Sequence, residues 1–362
     1  MAAYFIFGML GIFACFYKIL PHVVPRVSER TAAGLLFCFL LILAAYSLTI
    51  YPVADSGYFG GGTDVDDALV IGAKEIIAGR YPYYPKTYLG GFLSPMPGAL
   101  FLALPFVVLG VLPLQNVFWI AVLAITAKYV LRSYLPALLI VLTVFLISPT
   151  AYQVLGTASD HISNAIYILA SMWLLHTAVA DSGSSMWVRI FPAALLGIGL
   201  SSRSNFMILM PIFFSALAQA GGWRTALGYC VLTGSVFLAV TVPFWAYDPA
   251  GFSPYIVQAG RLQNIATVLP YASIMIPIAS FAIAGLLSMS RMPADGAAFF
   301  RNCAIVQLIT LYISSLAYAV FLGEFSLFLG NVGYGMFTVF FAAVSAWNFV
   351  QGSYSAHRPK SA

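Results

Sequence analysis

The chain of 362 residues is 62% hydrophobic and only 7% charged, against roughly 25% charge in soluble globular domains, so a water-soluble fold is excluded. Its net charge of +5 comes from 16 basic and 11 acidic residues, and basic residues in a membrane protein record topology before they record an anionic partner. There is no phosphate-cradling glycine loop ending in Lys-Ser/Thr and no basic aromatic surface, which argues against a soluble nucleotide donor and against a nucleic-acid partner.

Apolar runs of the roughly 17–25 residues needed to cross a bilayer as helix recur along the chain. They predict an all-α integral membrane protein that forms a single polytopic domain over 1–362. The expected spans are 3–19, 32–51, 114–131, 135–152, 162–179, 187–202, 205–220, 226–245, 268–288, 303–322 and 331–350, about eleven transmembrane helices by the length rule. The first run is kept as a span and not as a signal peptide, because Lys18, Arg26 and Arg30 follow it instead of preceding it. Cys15, Cys38, Cys230 and Cys303 all fall inside apolar runs and read as packing residues.

The segment Ser94 to Gly110 is also apolar but carries Pro95, Pro97 and Pro105. Read as re-entrant, it leaves Lys18, Arg26, Arg30, Lys128, Arg132, Arg189, Arg224, Arg291, Arg301, Arg358 and Lys360 on the cytoplasmic side, as the positive-inside rule requires. Most of the acid then faces outward. The two longest outer stretches are the loop 52–93 and a second juxtamembrane segment, 246–267.

Loop 52–93 holds Asp64, Asp66 and Asp67 within four positions. Asp64 to Gly79 has the period of a short amphipathic helix on the outer face, with Val65, Leu69, Gly72, Ala73, Ile76 and Ile77 on its apolar stripe and Gly79 as the stop. Thr63 or Asp64 suits the N-cap, and acids in the first turn suit the helix dipole. Capping needs one such side chain, or two, and leaves a third acid over at a boundary where charge is costly. A carboxylate there can act as general base, taking the proton of an acceptor hydroxyl that attacks a sugar carbon. Asp64 and Asp67, three positions apart, share one side of the helix, whereas Asp66 is expected to point elsewhere. Downstream, Tyr81, Tyr83 and Tyr84 in "RYPYYP" are either interfacial residues or a stacking wall for a sugar.

The order of "TDVDDAL" (Thr63 to Leu69), "AGRYPYY" (Ala78 to Tyr84) and "FLSPMPGALFLALPF" (Phe92 to Phe106) resembles the GT-C type polytopic glycosyltransferases, in particular the bacterial mannosyltransferase-like branch that uses polyprenyl-phosphate sugars. "YQVLGTASDHISN" (Tyr152 to Asn164) and "GIGLSSRSNFMILMP" (Gly197 to Pro211) extend the resemblance over about the first three fifths of the chain. It implies a GT-C-like fold and transfer of a sugar from a polyprenyl-phosphate donor to a lipid- or glycan-linked acceptor. The reaction would take place on the periplasmic or exterior side of a bacterial inner membrane. The family's catalytic aspartate falls in the first long outer loop, here on Asp64, with Asp67 as helper and Asp66 third. The chain departs from the pattern in having an apolar segment before the matching first span and three acids where the family has one.

Such a donor needs cations at the headgroup level. Arg203 in "SSRSN" and Arg261 in "GRLQN" meet that need as phosphate ligands. Arg203 would otherwise partner a nearby acid. His161 is a further phosphate or sugar contact, and Asp160 beside it a substrate-binding candidate, both also suited to structural hydrogen bonding. The turn-rich stretch Tyr247 to Pro270 is expected to form a second interfacial helix. No cofactor is required, although the carboxylates have the chemistry to bind Mg²⁺ or Mn²⁺. The competing classes are a transporter or lipid-linked-sugar scramblase and a noncatalytic membrane subunit. The near absence of ionisable groups inside the spans argues against an ion-coupled carrier.

Overall fold

The computed structural model describes residues 27–56, 64–266, 270–292, 296–323 and 335–357. The expected first span, 3–19, lies outside them, as does Glu324. The described chain is helical throughout, with one isolated antiparallel bridge, Lys86 to Phe92.

In chain order the helices are α1 (Glu29–Asp55), α2 (Val65–Ile77), α3 (Pro97–Val108), α4 (Gln115–Leu131), α5 (Tyr134–Ile147), α6 (Pro149–Gly156), α7 (His161–Ala180), α8 (Met186–Leu200), α9 (Met210–Gly221), α10 (Trp223–Tyr247), α11 (Ser253–Ala266), α12 (Ala272–Ser288), α13 (Ala297–Leu322) and α14 (Gly335–His357). Short 3-10 turns, Leu112–Leu114 and Ser204–Leu209, lead into α4 and α9. Among the described residues, five segments are long and apolar enough to cross a bilayer: Glu29–Asp55, Leu112–Leu131, His161–Ala180, Ser204–Gly221 and Trp223–Tyr247. The chain is an all-α membrane protein.

The expected span 135–152 is not one straight rod. α5 and α6 meet at 93°. Pro149 has no N–H and excludes the residue before it from helical geometry, so Ser148 adopts φ −123°, ψ 97° and the helix turns there. The bend swings α6 beneath the end of α1, where Tyr46 donates to the Tyr152 carbonyl at 3.2 Å.

α7 is the central helix, with nearly all its residues buried against α4, α8, α9 and α14. At one end of the bundle, Glu29 at the start of α1 accepts from the Tyr134 N–H at 2.8 Å and from the Ser133 hydroxyl, and Arg189 donates to the Ala178 carbonyl at 3.0 Å. Most of the described basic residues named above for the cytoplasmic side cluster near that end. The opposite end collects Asp55, α2, the start of α3, Thr157, Asp160 and the end of α10.

α2 starts and stops close to where its sequence dictates. Its end closes with paired turns, Gly79 N–H to the Ile76 carbonyl and Arg80 N–H to the Glu75 carbonyl, and Gly79 supplies the required left-handed φ of +68°. The helix does not lie alone on a lipid surface. Ala68, Leu69, Gly72 and Ala73 are buried against Leu93, Leu100 and Ala103 of the following segment. α3, with 12 residues, is about 18 Å long at a rise of 1.5 Å per residue. That is short of the roughly 30 Å hydrocarbon core, as suits the partly embedded segment expected for 94–110. The 246–267 stretch contains the expected second short helix, α11, whose first residue Ser253 donates to the Leu93 carbonyl at 2.6 Å.

α3 is anchored by backbone on backbone. The Gly98 N–H donates to the Ser201 carbonyl at 2.9 Å, and a Cβ at Gly98 would lie 2.1 Å from the Ile198 carbonyl oxygen. Only glycine permits this approach, so Gly98→Ala forces the end of α8 away from α3. We expect a loss of about 3 kcal/mol or more, at the upper end of overpacking costs, read as a lowered thermal midpoint of the detergent-solubilised protein.

Candidate functional site

The last turns of α1 place Tyr51 and Asp55 four residues apart on one face, directed at the first turn of α2. Asp66 meets them there. It is 2% exposed, and Tyr51 Oη donates to its Oδ2 at 3.0 Å. One carboxylate oxygen from each of Asp55, Asp66 and Asp67 lies within 4.8 Å of the others. A small cleft opens at this point, lined by Tyr51, Ala54, Asp55, Asp66 and Thr157.

Three like charges in so small a space, one of them buried, oppose ionisation. Burial raises the Asp66 carboxyl to about 6 against the downward pull of the Tyr51 hydrogen bond, with Asp67 and Asp55 adding to the rise. Asp67 is also raised, by burial and then by the charges of Asp55 and Asp64. A carboxyl whose folded pKa exceeds its unfolded value binds its proton more tightly when folded. Its contribution to stability is therefore fully present below the ordinary Asp range and is lost as the pH rises from about 4 through about 6. At neutral pH the fold carries a strained, ionised Asp66, at a cost of about 1–3 kcal/mol. Among the described residues this trio is also the set whose oxygens could hold a hard divalent cation such as Mg²⁺ or Mn²⁺.

The sequence placed the working carboxylate at Asp64, with Asp67 second and Asp66 turned away. The structure brings Asp66, and not Asp64, together with Asp55 and Asp67. Asp64 occupies the N-cap position of α2 but makes no capping bond, and its Oδ2 instead accepts from the Thr87 hydroxyl at 2.7 Å. Asp66 is drawn inward because it lies three residues before Leu69 and seven before Ala73, on the stripe that packs the helix down. Tyr51, Asp55 and Thr157 were not singled out from the sequence as site residues. The missed signal was the i, i+4 pair Tyr51 and Asp55 at the end of a span directly before the acidic run.

Of the three loop tyrosines, Tyr83 is buried, Tyr81 half-buried and Tyr84 exposed. Tyr81 donates to the Phe244 carbonyl at 3.0 Å and stacks on Tyr247 with ring centroids 4.9 Å apart. Tyr83 is 2% exposed and packs edge-on against Phe252. Both tie the loop to the end of α10. Tyr84 is 60% exposed, lying against the Tyr81 ring.

Arg203, expected at a donor phosphate, is 7% exposed and bonds Asp160 Oδ1 at 2.7 Å, while Asp160 is 1% exposed. Burial alone would raise the Asp160 carboxyl, but Arg203, His161 and the Asn164 hydrogen bond together outweigh it and hold the group below the usual carboxylate range. His161 pairs through Nδ1 with the Ser159 hydroxyl and stacks on Phe337 at 5.8 Å. Asp160, His161 and Arg203 thus form a buried polar knot joining the start of α7 to the segment before α9. The pairing has the form of the acid partner and the structural hydrogen bonding that the sequence also allowed for these residues. The backbone of Arg261 falls in α11.

Removing one partner of a buried ion pair leaves the other charge stranded. Arg203→Met is expected to cost about 3–5 kcal/mol, and adding Asp160→Asn to recover most of the loss. Thermal unfolding of the two singles and the double variant checks this, and the coupling between them is the diagnostic quantity.

Comparison with family models, with characterised proteins and with solved structures returned no match for this chain.

Proposed function

We propose that the protein is a GT-C-like membrane glycosyltransferase that moves a sugar from a polyprenyl-phosphate donor to a lipid- or glycan-linked acceptor, with Asp66 as general base. The reading includes about eleven crossings, as the length rule gives, and an outward-facing acidic end, as the positive-inside pattern gives. The observation that carries it is the convergence of the Asp55, Asp66 and Asp67 carboxylates beside a cleft that Asp55 and Asp66 line, with Asp66 raised to about 6. The order of acidic, tyrosine-proline and apolar motifs along the sequence supports the choice of reaction.

A base works best when its pKa lies near the operating pH, because it is then ionised yet still a good proton acceptor. An ordinary exposed aspartate is too weak a base for an alcohol, and Asp66 is strengthened by its burial. In the proposed step its carboxylate takes the proton of the acceptor hydroxyl as that oxygen bonds to the anomeric carbon. The bond from that carbon to the donor phosphate oxygen breaks, and the polyprenyl phosphate leaves with the electron pair. Asp55 and Asp67 stabilise the positive charge that builds on the sugar. Tyr51 holds Asp66 in position. With Arg203 engaged by Asp160, Arg261 on α11 is the remaining arginine proposed for the donor phosphate.

The purified protein is to be incubated with radiolabelled polyprenyl-phosphate sugars and a membrane lipid extract, and label followed into new products. Wild type should transfer one of them. Asp66→Asn, which keeps a hydrogen-bond acceptor for Tyr51, should lower the rate by about 10²–10⁴, while Asp64→Asn should retain most activity because an amide oxygen still accepts from Thr87. The wild-type kcat/KM should rise with pH through a midpoint near 6, since the base acts only when ionised. Equal loss in both variants would remove Asp66 from the role, and no transfer of any sugar would remove the reaction.

A further inference from the structure

The loop between α2 and α3 folds back on itself at Lys86 to Phe92. The Thr87 N–H donates to the Gly91 carbonyl at 2.9 Å, the Gly90 N–H returns to the Thr87 carbonyl at 2.8 Å, and the Gly91 N–H donates to the Thr87 hydroxyl oxygen at 3.1 Å. Thr87 itself is 5% exposed, and its hydroxyl proton goes to Asp64 Oδ2. The hairpin is therefore pinned at its first turn to the residue that begins α2, two positions before Asp66. The next residue along, Tyr88, is 57% exposed.

Two further facts locate the Tyr88 ring. Loss of hydration and then the charges of Asp67, Asp66, Asp64 and Asp55, in that order, raise its phenol above the ordinary range, so the hydroxyl lies within electrostatic reach of the whole acidic group. The other tyrosines of the loop are engaged elsewhere: Tyr81 with Phe244 and Tyr247, Tyr83 in the core, and Tyr84 on Tyr81. Among the described residues, Tyr88 is the loop tyrosine that combines an exposed ring with proximity to the carboxylates.

We infer that Tyr88 is a substrate-binding residue that packs its ring on the transferred sugar above Asp66 and Asp67, and that the Thr87–Asp64 bond positions it there. The inference rests on the proposed glycosyltransferase reading. An aromatic face matches the apolar C–H face of a sugar ring, and the phenol end can reach a sugar hydroxyl. It also gives Asp64 a role, as the anchor of the hairpin. A hydroxyl held to a carboxylate by a charge-assisted bond is a firm fastening.

The test is steady-state kinetics with the polyprenyl-phosphate sugar that wild type transfers, donor concentration varied. Tyr88→Ala, an exposed position that the fold tolerates, should raise the donor KM by about three- to ten-fold with kcat within about two-fold. Tyr88→Phe, which keeps the ring and loses the hydroxyl, should raise the donor KM less than Tyr88→Ala does. Thr87→Val, which keeps the shape and removes the tether, should raise the donor KM in the same direction, as a positioning residue would. An unchanged donor KM in Tyr88→Ala, or a fall in kcat alone, overturns the inference while the transferase reading stands. A wild type that moves no sugar overturns that reading and this inference with it.

Discussion

The arrangement turns on one unfavourable placement, a carboxylate sealed between two helices beside two others. Asp66 would ionise freely in water. It is held in the cleft because Leu69 and Ala73, on the same stripe of α2, are pressed into the apolar cluster formed with Leu93 and Leu100. That cluster in turn needs α3 to be fixed, and the backbone contact at Gly98 fixes it to the end of α8. The chain of dependence therefore runs from a glycine through an apolar seam to a perturbed acid, and each link is packing rather than charge.

A second buried polar group, Asp160 with Arg203, serves a different end. Its charges neutralise each other inside the protein, whereas Asp55, Asp66 and Asp67 bear one sign, and Asp55 and Asp66 line a cleft. Buried pairs of opposite charge contribute little net stability but punish any change that strands one partner. Like charges gathered in a cleft raise one another's pKa and are a mark of chemistry. The contrast between the two groups separates architecture from the candidate site at this end of the bundle.

Much of the fold was legible in the sequence, because a transmembrane helix announces itself by length and hydropathy alone. α1, α4, α7 and α10 fall within a few residues of their expected bounds, and the Gly79 stop follows from its left-handed φ. The bend at Ser148 was visible only as Pro149, whose effect in a span depends on neighbouring helices. The site was less legible. That the acids of 64–67 form a candidate site could be read from their number, but which of them turns inward depends on how α2 rotates against α3, a tertiary fact. Arg203 and Asp160 lie 43 residues apart, and no local pattern shows that they pair. The three tyrosines expected to face substrate were picked for their clustering, and proline-stiffened clusters also make good packing corners. Tyr88, set between Thr87 and Leu89, carried no such signal.

The proton affinity of Asp66 is the central claim, and it can be measured without any substrate. Infrared difference spectroscopy of the protein across pH 4–8, with Asp66→Asn as the reference, isolates the carboxyl stretch of this one group. The account predicts a band lost with a midpoint near 6 in wild type and absent from the variant. A midpoint near 4, the range of an ordinary aspartate, would contradict it, leaving the acidic cluster a solvated helix start with no poised base.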